Sequence, residues 1–257
     1  QTLQASGTRL VAMLHDLIPM HEDPQSPRYV NFCGDTAAVL RASVGVLANS
    51  EFTRSEVLRF AARGRLPLPK SIAAVPLAHE FRAATGDASR PLPEGPYLLC
   101  VGAAPGHKNL EVVFDALALL ERSGSGINCS LVLAGAPDRQ VRALLSGQEM
   151  REVVRRVIFF DDPGHAELAE LYRHAYAVLV PSRMEGWGLP AGEALWLGTP
   201  LVCANSPALL EASAGLALTF DPDSAAELAA LLERLATDPA FRPAQLARIQ
   251  AGRDRLR

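Results

Sequence analysis

The sequence predicts an α/β protein built on parallel sheets, and three observations carry that reading. Short apolar runs alternate with amphipathic stretches along most of the 257 residues, the pattern of strand–helix–strand units. The apolar runs are nearly continuous rather than alternating, as expected for strands covered on both faces. Two of the runs also pass directly into glycine-rich turns that lead into helices.

Taken in order, the predicted strands are Arg9–Leu14, Val44–Ala48, Ile72–Val75, Tyr97–Val101, Ser130–Ala134, Val157–Phe160, Ala177–Val180, Leu201–Cys203 and Ala217–Phe220. Between them, Asn109–Leu120 and Ala225–Leu235 carry apolar residues at helical period. Thr53–Glu56 (TRSE) and Ser224–Glu227 (SAAE) have the form of capping boxes, in which hydroxyl and carboxylate satisfy free amides reciprocally. A boundary falls near Asp87–Pro96 (DASRPLPEGP), rich in proline, glycine and small polar residues. About five strand–helix units follow it and only about three strands precede it. The expected domains are therefore a partial one over 1–94 and a complete doubly wound one over 95–257. The chain starts without methionine and stops within a helical pattern, so both ends read as cuts through a larger protein.

Composition narrows the function. A net charge of −3 and a pI near 6.1 give no bulk attraction to nucleic acid. An anionic ligand would be held by local basic groups and backbone amides. Cys33, Cys100, Cys129 and Cys203 are widely spaced, with no CxxC or Cys/His cluster, which reads as four structural thiols in a reducing compartment. No secretory signal or long apolar run is present, so a cytoplasmic protein is expected. The basic run Arg59, Arg63, Arg65 and Lys70 reads as a solvated face, with peripheral contact to an anionic membrane as its functional alternative.

The strongest signal is Pro181–Pro200, PSRMEGWGLPAGEALWLGTP. A buried strand runs into Glu185-Gly186-Trp187-Gly188-Leu189-Pro190 and then a helix from about Ala191. Glycines there let backbone approach a ligand closely, and the helix start offers free amides and the positive dipole end to an anion. Glu185 and Glu193 bracket the turn at E-x7-E spacing, one before the helix and one in its first turn. Each carboxylate can accept paired sugar hydroxyls, so the spacing suggests two polyhydroxylated groups with a diphosphate between them. The same glycines, Gly186-x-Gly188-x-x-x-Gly192, imitate a dinucleotide fingerprint. That reading requires an acid after the next strand, which instead ends Val202-Cys203-Ala204-Asn205.

This string resembles the EGFGLP-x2-EA signature of the GT-B retaining glycosyltransferases grouped as family 4, with Trp187 for the commoner phenylalanine. The resemblance implies a GT-B fold: a complete C-terminal Rossmann-like domain and a partial N-terminal one. It also implies that Glu185 contacts the donor sugar, that Gly186, Trp187, Gly188 and Leu189 present amides to sugar and phosphate, and that Glu193 grips the nucleotide ribose. Val101–Leu110 (VGAAPGHKNL) resembles the family's phosphate loop, in which Gly102, His107 and Lys108 hold the diphosphate; His107 stands where arginine is frequent, and Ala103 at another position often basic. His15-Asp16-Leu17-Ile18-Pro19 resembles the family's HD-x-x-P segment, whose histidine approaches the sugar. Ala48–Thr53 resembles its AxSE-x-T segment, with Ser50 and Thr53 structural. Asp161-Asp162 resembles its base-adjacent loop.

The function implied is transfer of a hexose, mannose-like by preference, from a GDP- or UDP-sugar to a hydroxyl of a glycan or lipid-linked glycan, with retention. His15, Glu185 and Lys108 are the expected catalytic residues. No cofactor or metal is expected; Asp221-Pro222-Asp223 spells the metal-binding DxD of a different glycosyltransferase fold but directly precedes SAAE and reads as helix capping. Peripheral attachment at the inner face of the plasma membrane is an accompanying expectation. A non-catalytic nucleotide-sugar-binding module is the alternative, and a phosphorylase lacks its cofactor-lysine motif here.

Overall fold

A computed structural model describes residues 7–81, 90–102, 106–125, 128–135, 139–146 and 150–256. It contains two compact units. One runs to Ala78 and takes in Met184–Trp187; the other comprises His79–Arg183 and Gly188–Arg257. The boundary stretch Asp87–Pro96 lies partly outside the described residues.

The first unit holds three parallel strands in the order β1-β2-β3: β1 (Val11–Leu14), β2 (Gly45–Ala48) and β3 (Ile72–Ala74). Helices α1 (Pro27–Ala42) and α2 (Glu51–Ala62) connect them. Leu17, Met20, Leu40, Val46, Val57 and Phe60 form its core. Ser26 caps α1 by accepting from the Tyr29 amide, with Pro27 pre-set for the first helical position. The TRSE capping box does not form. Helix α2 starts three residues earlier, and Ser50 is its cap, accepting from the Thr53 amide at 2.8 Å. Glu56, freed from capping, is buried and receives Arg59 (2.6 Å) and His21. The basic run Arg59, Arg63, Arg65 and Lys70 is exposed at all four positions, as expected of a solvated face, although Arg65 also donates to the Tyr29 hydroxyl at 2.8 Å.

The second unit is one parallel sheet in the order β6-β5-β4-β7-β8-β9. Its strands are β4 (Tyr97–Val101), β5 (Ser130–Ala134), β6 (Val157–Phe160), β7 (Ala177–Val180), β8 (Leu201–Ala204) and β9 (Leu218–Phe220). Helices α3 (Leu110–Ser123), α4 (Arg139–Leu144), α5 (Arg151–Arg156), α6 (His165–His174), α7 (Leu189–Trp196), α8 (Pro207–Ala212), α9 (Ala225–Thr237) and α10 (Phe241–Gly252) accompany it. Every residue of β7 and β8 is buried, which is why those runs show no polar alternation. Burial pushes the Cys100 and Cys203 thiols up to about 12, so both are inert core hydrophobes. At α9 only half of the SAAE box forms. Ser224 accepts from the Glu227 amide, but the Glu227 carboxylate accepts from the Asp221 amide instead of that of Ser224. Among the described residues no helix is long and apolar enough to cross a membrane.

Candidate nucleotide-sugar site

The order of the second sheet reverses beside β4: the chain proceeds outward through β5 and β6, then returns to place β7 on the other side. Crossovers on either side of such a switch point leave a crevice beyond the strand ends, the usual ligand position in open α/β sheets. Here a small cleft lies at the carboxyl ends of β4 and β7, with Gly102, Lys108, Ser182 and Pro190 in its lining. Gly102 leaves β4 with φ 72°, a left-handed turn open to glycine without strain. Gly106–Lys108 form a single 3-10 turn, and α3 starts after Asn109. His107 and Lys108 are both half-buried; Ala103 lies outside the described residues.

Asn109 fixes this loop. It is 1% exposed and adopts φ 53°. Its amide donates to the carbonyls of Pro181 (3.1 Å) and Pro222 (2.8 Å), and its oxygen accepts from Arg183. The Arg183 backbone amide reaches the His107 carbonyl at 2.9 Å, while its guanidinium pairs with Asp223 at 2.7 Å. The turn carrying Lys108 is thereby tied to the end of β7 and to the loop after β9. Asp221 and Asp223 do not cap α9 as expected. Asp223 is the partner of Arg183, and Asp221 accepts from the Asp223 amide.

On the β7 side, Gly188 adopts φ 101° and α7 begins at Leu189, with Pro190 in its first turn. The helix thus starts two residues before the expected position, and Glu193 falls in its second turn rather than its first. Gly192 is a packing glycine: a Cβ there would meet the His79 ring nitrogen Nδ1 at 1.7 Å. Glu193 is half-buried, and its Oε2 accepts from the Tyr172 hydroxyl at 2.7 Å. Burial raises its pKa, opposed by the Tyr172 hydrogen bond and the nearby His165. After β6, Arg90 clamps the Asp161-Asp162 loop. It donates to the Asp161 carbonyl (2.8 Å), pairs with the buried Glu167 (2.9 Å) and lies over the Phe160 ring.

The remaining predicted residues gather in the first unit. The Gly186 carbonyl accepts from the hydroxyls of Ser50 (2.6 Å) and Thr53 (3.1 Å). A Cβ on Gly186 would lie 1.8 Å from the His15 carbonyl oxygen, so only glycine permits this backbone-on-backbone contact. Ser50 and Thr53 are structural, as expected, and what they hold is the loop. His15 is exposed, Glu185 half-buried and Trp187 buried. Asp16 accepts from the Ile18 amide at 2.9 Å, orienting the turn that follows β1. The first unit holds His15 and Glu185–Trp187, with Gly186 against the His15 carbonyl, while Gly102, His107, Lys108, Gly188, Leu189 and Glu193 belong to the second. Tyr172, Asn109, Arg183 and Arg90 escaped the sequence reading. Tyr172 sits on the apolar stripe of α6 and looks like core; the other three act through partners distant in sequence.

A parallel sheet of this order, with glycine-turned helix starts and a lysine at its switch point, defines a doubly wound fold. The chain belongs to the glycosyl transferases group 1 family, which matches residues 86–255. It is 34% identical over 154 residues to the D-inositol 3-phosphate glycosyltransferase of Arthrobacter sp. (strain FB24), covering 57% of this chain and 35% of that protein. It is 30% identical over 129 residues to the O-antigen chain mannosyltransferase RfbU of Salmonella typhimurium, covering 49% of this chain and 35% of that one. The matches thus span about a third of the length of these curated relatives. Among solved structures, sucrose-phosphate synthase from Thermosynechococcus elongatus superposes with a TM-score of 0.71 at 22% identity, over 99% of this chain and 68% of that one. Anabaena Alr3699/HepE in complex with UDP and glucose gives 0.71 at 16% identity, over 97% and 68%. These likenesses show the GT-B type of fold.

Proposed function

We propose that the protein transfers a hexose, mannose-like by preference, from a nucleotide diphosphate sugar to an acceptor hydroxyl, retaining the anomeric configuration and needing no metal ion. The observation that carries this reading is the convergence of Lys108, Gly102 and the start of α7 on one switch-point crevice. Such a place suits a diphosphate, whose charge would meet a lysine ammonium and helix-start amides. Stabilising that diphosphate as it departs is the main catalytic work, because charge develops there in the transition state. Glu185 and His15 orient the sugar, Glu193 accepts from the ribose hydroxyls, and the departing phosphate helps deprotonate the acceptor. Glu185 has no second carboxylate assigned as its partner, which separates the scheme from the paired acids of a retaining glycosidase. A GDP- or UDP-sugar donor, a glycan or lipid-linked glycan acceptor, and work at the cytoplasmic face of the plasma membrane complete the proposal. The mannosyltransferase RfbU among the relatives and UDP with glucose in the HepE structure support it.

The full-length enzyme, incubated with UDP- and GDP-sugars and a glycan acceptor, is expected to release nucleotide diphosphate in the presence of EDTA. Glu185→Ala should abolish transfer while leaving nucleotide diphosphate affinity within about threefold, since its role is to orient the sugar. Nucleotide binding without any transfer would reduce the protein to a binding module.

A further inference from the structure

Glu193 has a buried partner. Tyr172, completely buried in α6, directs its hydroxyl at Glu193 Oε2 at 2.7 Å. The tyrosine is itself locked. Its own carbonyl accepts from the Thr199 hydroxyl at 2.6 Å, and the preceding carbonyl of Leu171 accepts from the Tyr97 hydroxyl at 2.8 Å. Its ring meets Phe81 edge-on at 5.8 Å, and Phe81 in turn stacks on His165 at 4.2 Å. A phenylalanine would fill the same volume and keep the same ring contacts, so what the hydroxyl adds is its hydrogen bond to the carboxylate. Burial holds the phenol pKa well above its ordinary range, which keeps that hydroxyl a donor.

We propose that Tyr172 is a positioning residue: its hydroxyl occupies one lone pair of Glu193 and fixes the carboxylate so that the remaining lone pairs accept both hydroxyls of a ribose cis-diol. The assignment rests on the nucleotide-sugar reading given above. A glutamate side chain otherwise loses substantial rotamer freedom when it takes up a ligand. Fixing it beforehand removes that cost from binding. Because a carboxylate has about four acceptor positions, one phenol leaves enough for a diol.

The test is calorimetric titration of the full-length protein with UDP and GDP, and with the 2′,3′-dideoxy form of whichever binds tighter. Wild type should bind the parent nucleotide at least about tenfold more tightly than the dideoxy form, the size of losing hydrogen bonds to a charged group. In Y172F that ratio should fall to about threefold or less, while affinity for the dideoxy form stays at the wild-type value. A purely structural tyrosine would weaken both nucleotides alike, and that outcome, or an unchanged ratio, overturns the proposal. In an E193A background, adding Y172F should alter neither affinity by more than about twofold; a larger change would show that Tyr172 acts through another group. This pair also serves if Y172F alone fails to fold. A wild type that ignores the ribose hydroxyls would refute the role of Glu193 itself, a failure distinct from that of Tyr172.

Discussion

Asn109→Ala is the perturbation whose consequence the structure fixes most fully. Asn109 is 1% exposed, donates to the Pro181 and Pro222 carbonyls, accepts from Arg183, and holds a left-handed φ of 53°. Alanine deletes two donors to partly or wholly buried carbonyls, each worth about 0.5–1.5 kcal/mol net. It also places a Cβ-bearing residue without a polar side chain at a left-handed angle, at a cost of about 1 kcal/mol. The sum is about 2–4 kcal/mol, which corresponds to a thermal midpoint lower by roughly 4–16 °C. Asn109→Gly removes the same hydrogen bonds without the backbone cost and should be milder by about 1 kcal/mol. Both variants release the turn that carries Lys108, so nucleotide diphosphate affinity should fall at least about tenfold. Urea unfolding followed by circular dichroism, with calorimetry for binding, reads both effects. An alanine variant within about 0.5 kcal/mol of wild type, or a glycine variant worse than alanine, would refute the reasoning.

Gly186→Ala should be among the most damaging single changes in the first unit, because the new Cβ falls 1.8 Å from the His15 carbonyl oxygen, a backbone atom. A loss above about 2 kcal/mol, typical of severe overpacking, is expected in thermal unfolding together with loss of transfer; full stability would mean that the loop does not pack on His15. The pH dependence of stability should show an acid limb from His79, which is 6% exposed and whose pKa burial lowers. The folded state keeps the ring neutral, so this contribution is complete above the ordinary value near 6.5 and is lost as pH falls through the lower folded-state value. Glu193, with its pKa raised, acts in the opposite sense: its contribution is present below about 4.5 and is lost as pH rises through the folded-state value. Subtracting the urea-unfolding profile of His79→Gln from that of wild type isolates the histidine limb; identical profiles would contradict its burial as a neutral ring.

Much of the architecture was legible because it is local. Strands β4 to β7 match the apolar runs Tyr97–Val101, Ser130–Ala134, Val157–Phe160 and Ala177–Val180 to the residue, since a nearly continuous apolar run has no polar alternation to blur its limits. The caps were less legible. Thr53–Glu56 has the letters of a capping box, but Ser50, three residues earlier, offers the same hydroxyl and takes the position. The motifs located the crevice because glycine turns and a lysine carry their chemistry in adjacent residues. Their supports were hidden, because Arg183 meets Asp223 and Tyr172 meets Glu193 only after the chain has crossed the sheet. Compactness also assigns Met184–Trp187 to the first unit, a grouping that periodicity has no means to express.

The central claim, that the crevice between β4 and β7 receives the diphosphate of a nucleotide sugar, is tested most directly by one calorimetric comparison. The wild type and Lys108→Ala are each titrated with UDP, GDP and the corresponding nucleosides. The account predicts that Lys108→Ala weakens the diphosphate by about 1.5–3 kcal/mol, the range for a hydrogen bond to a charged group, and leaves the nucleoside unchanged. Equal losses for diphosphate and nucleoside, or none for either, would contradict it.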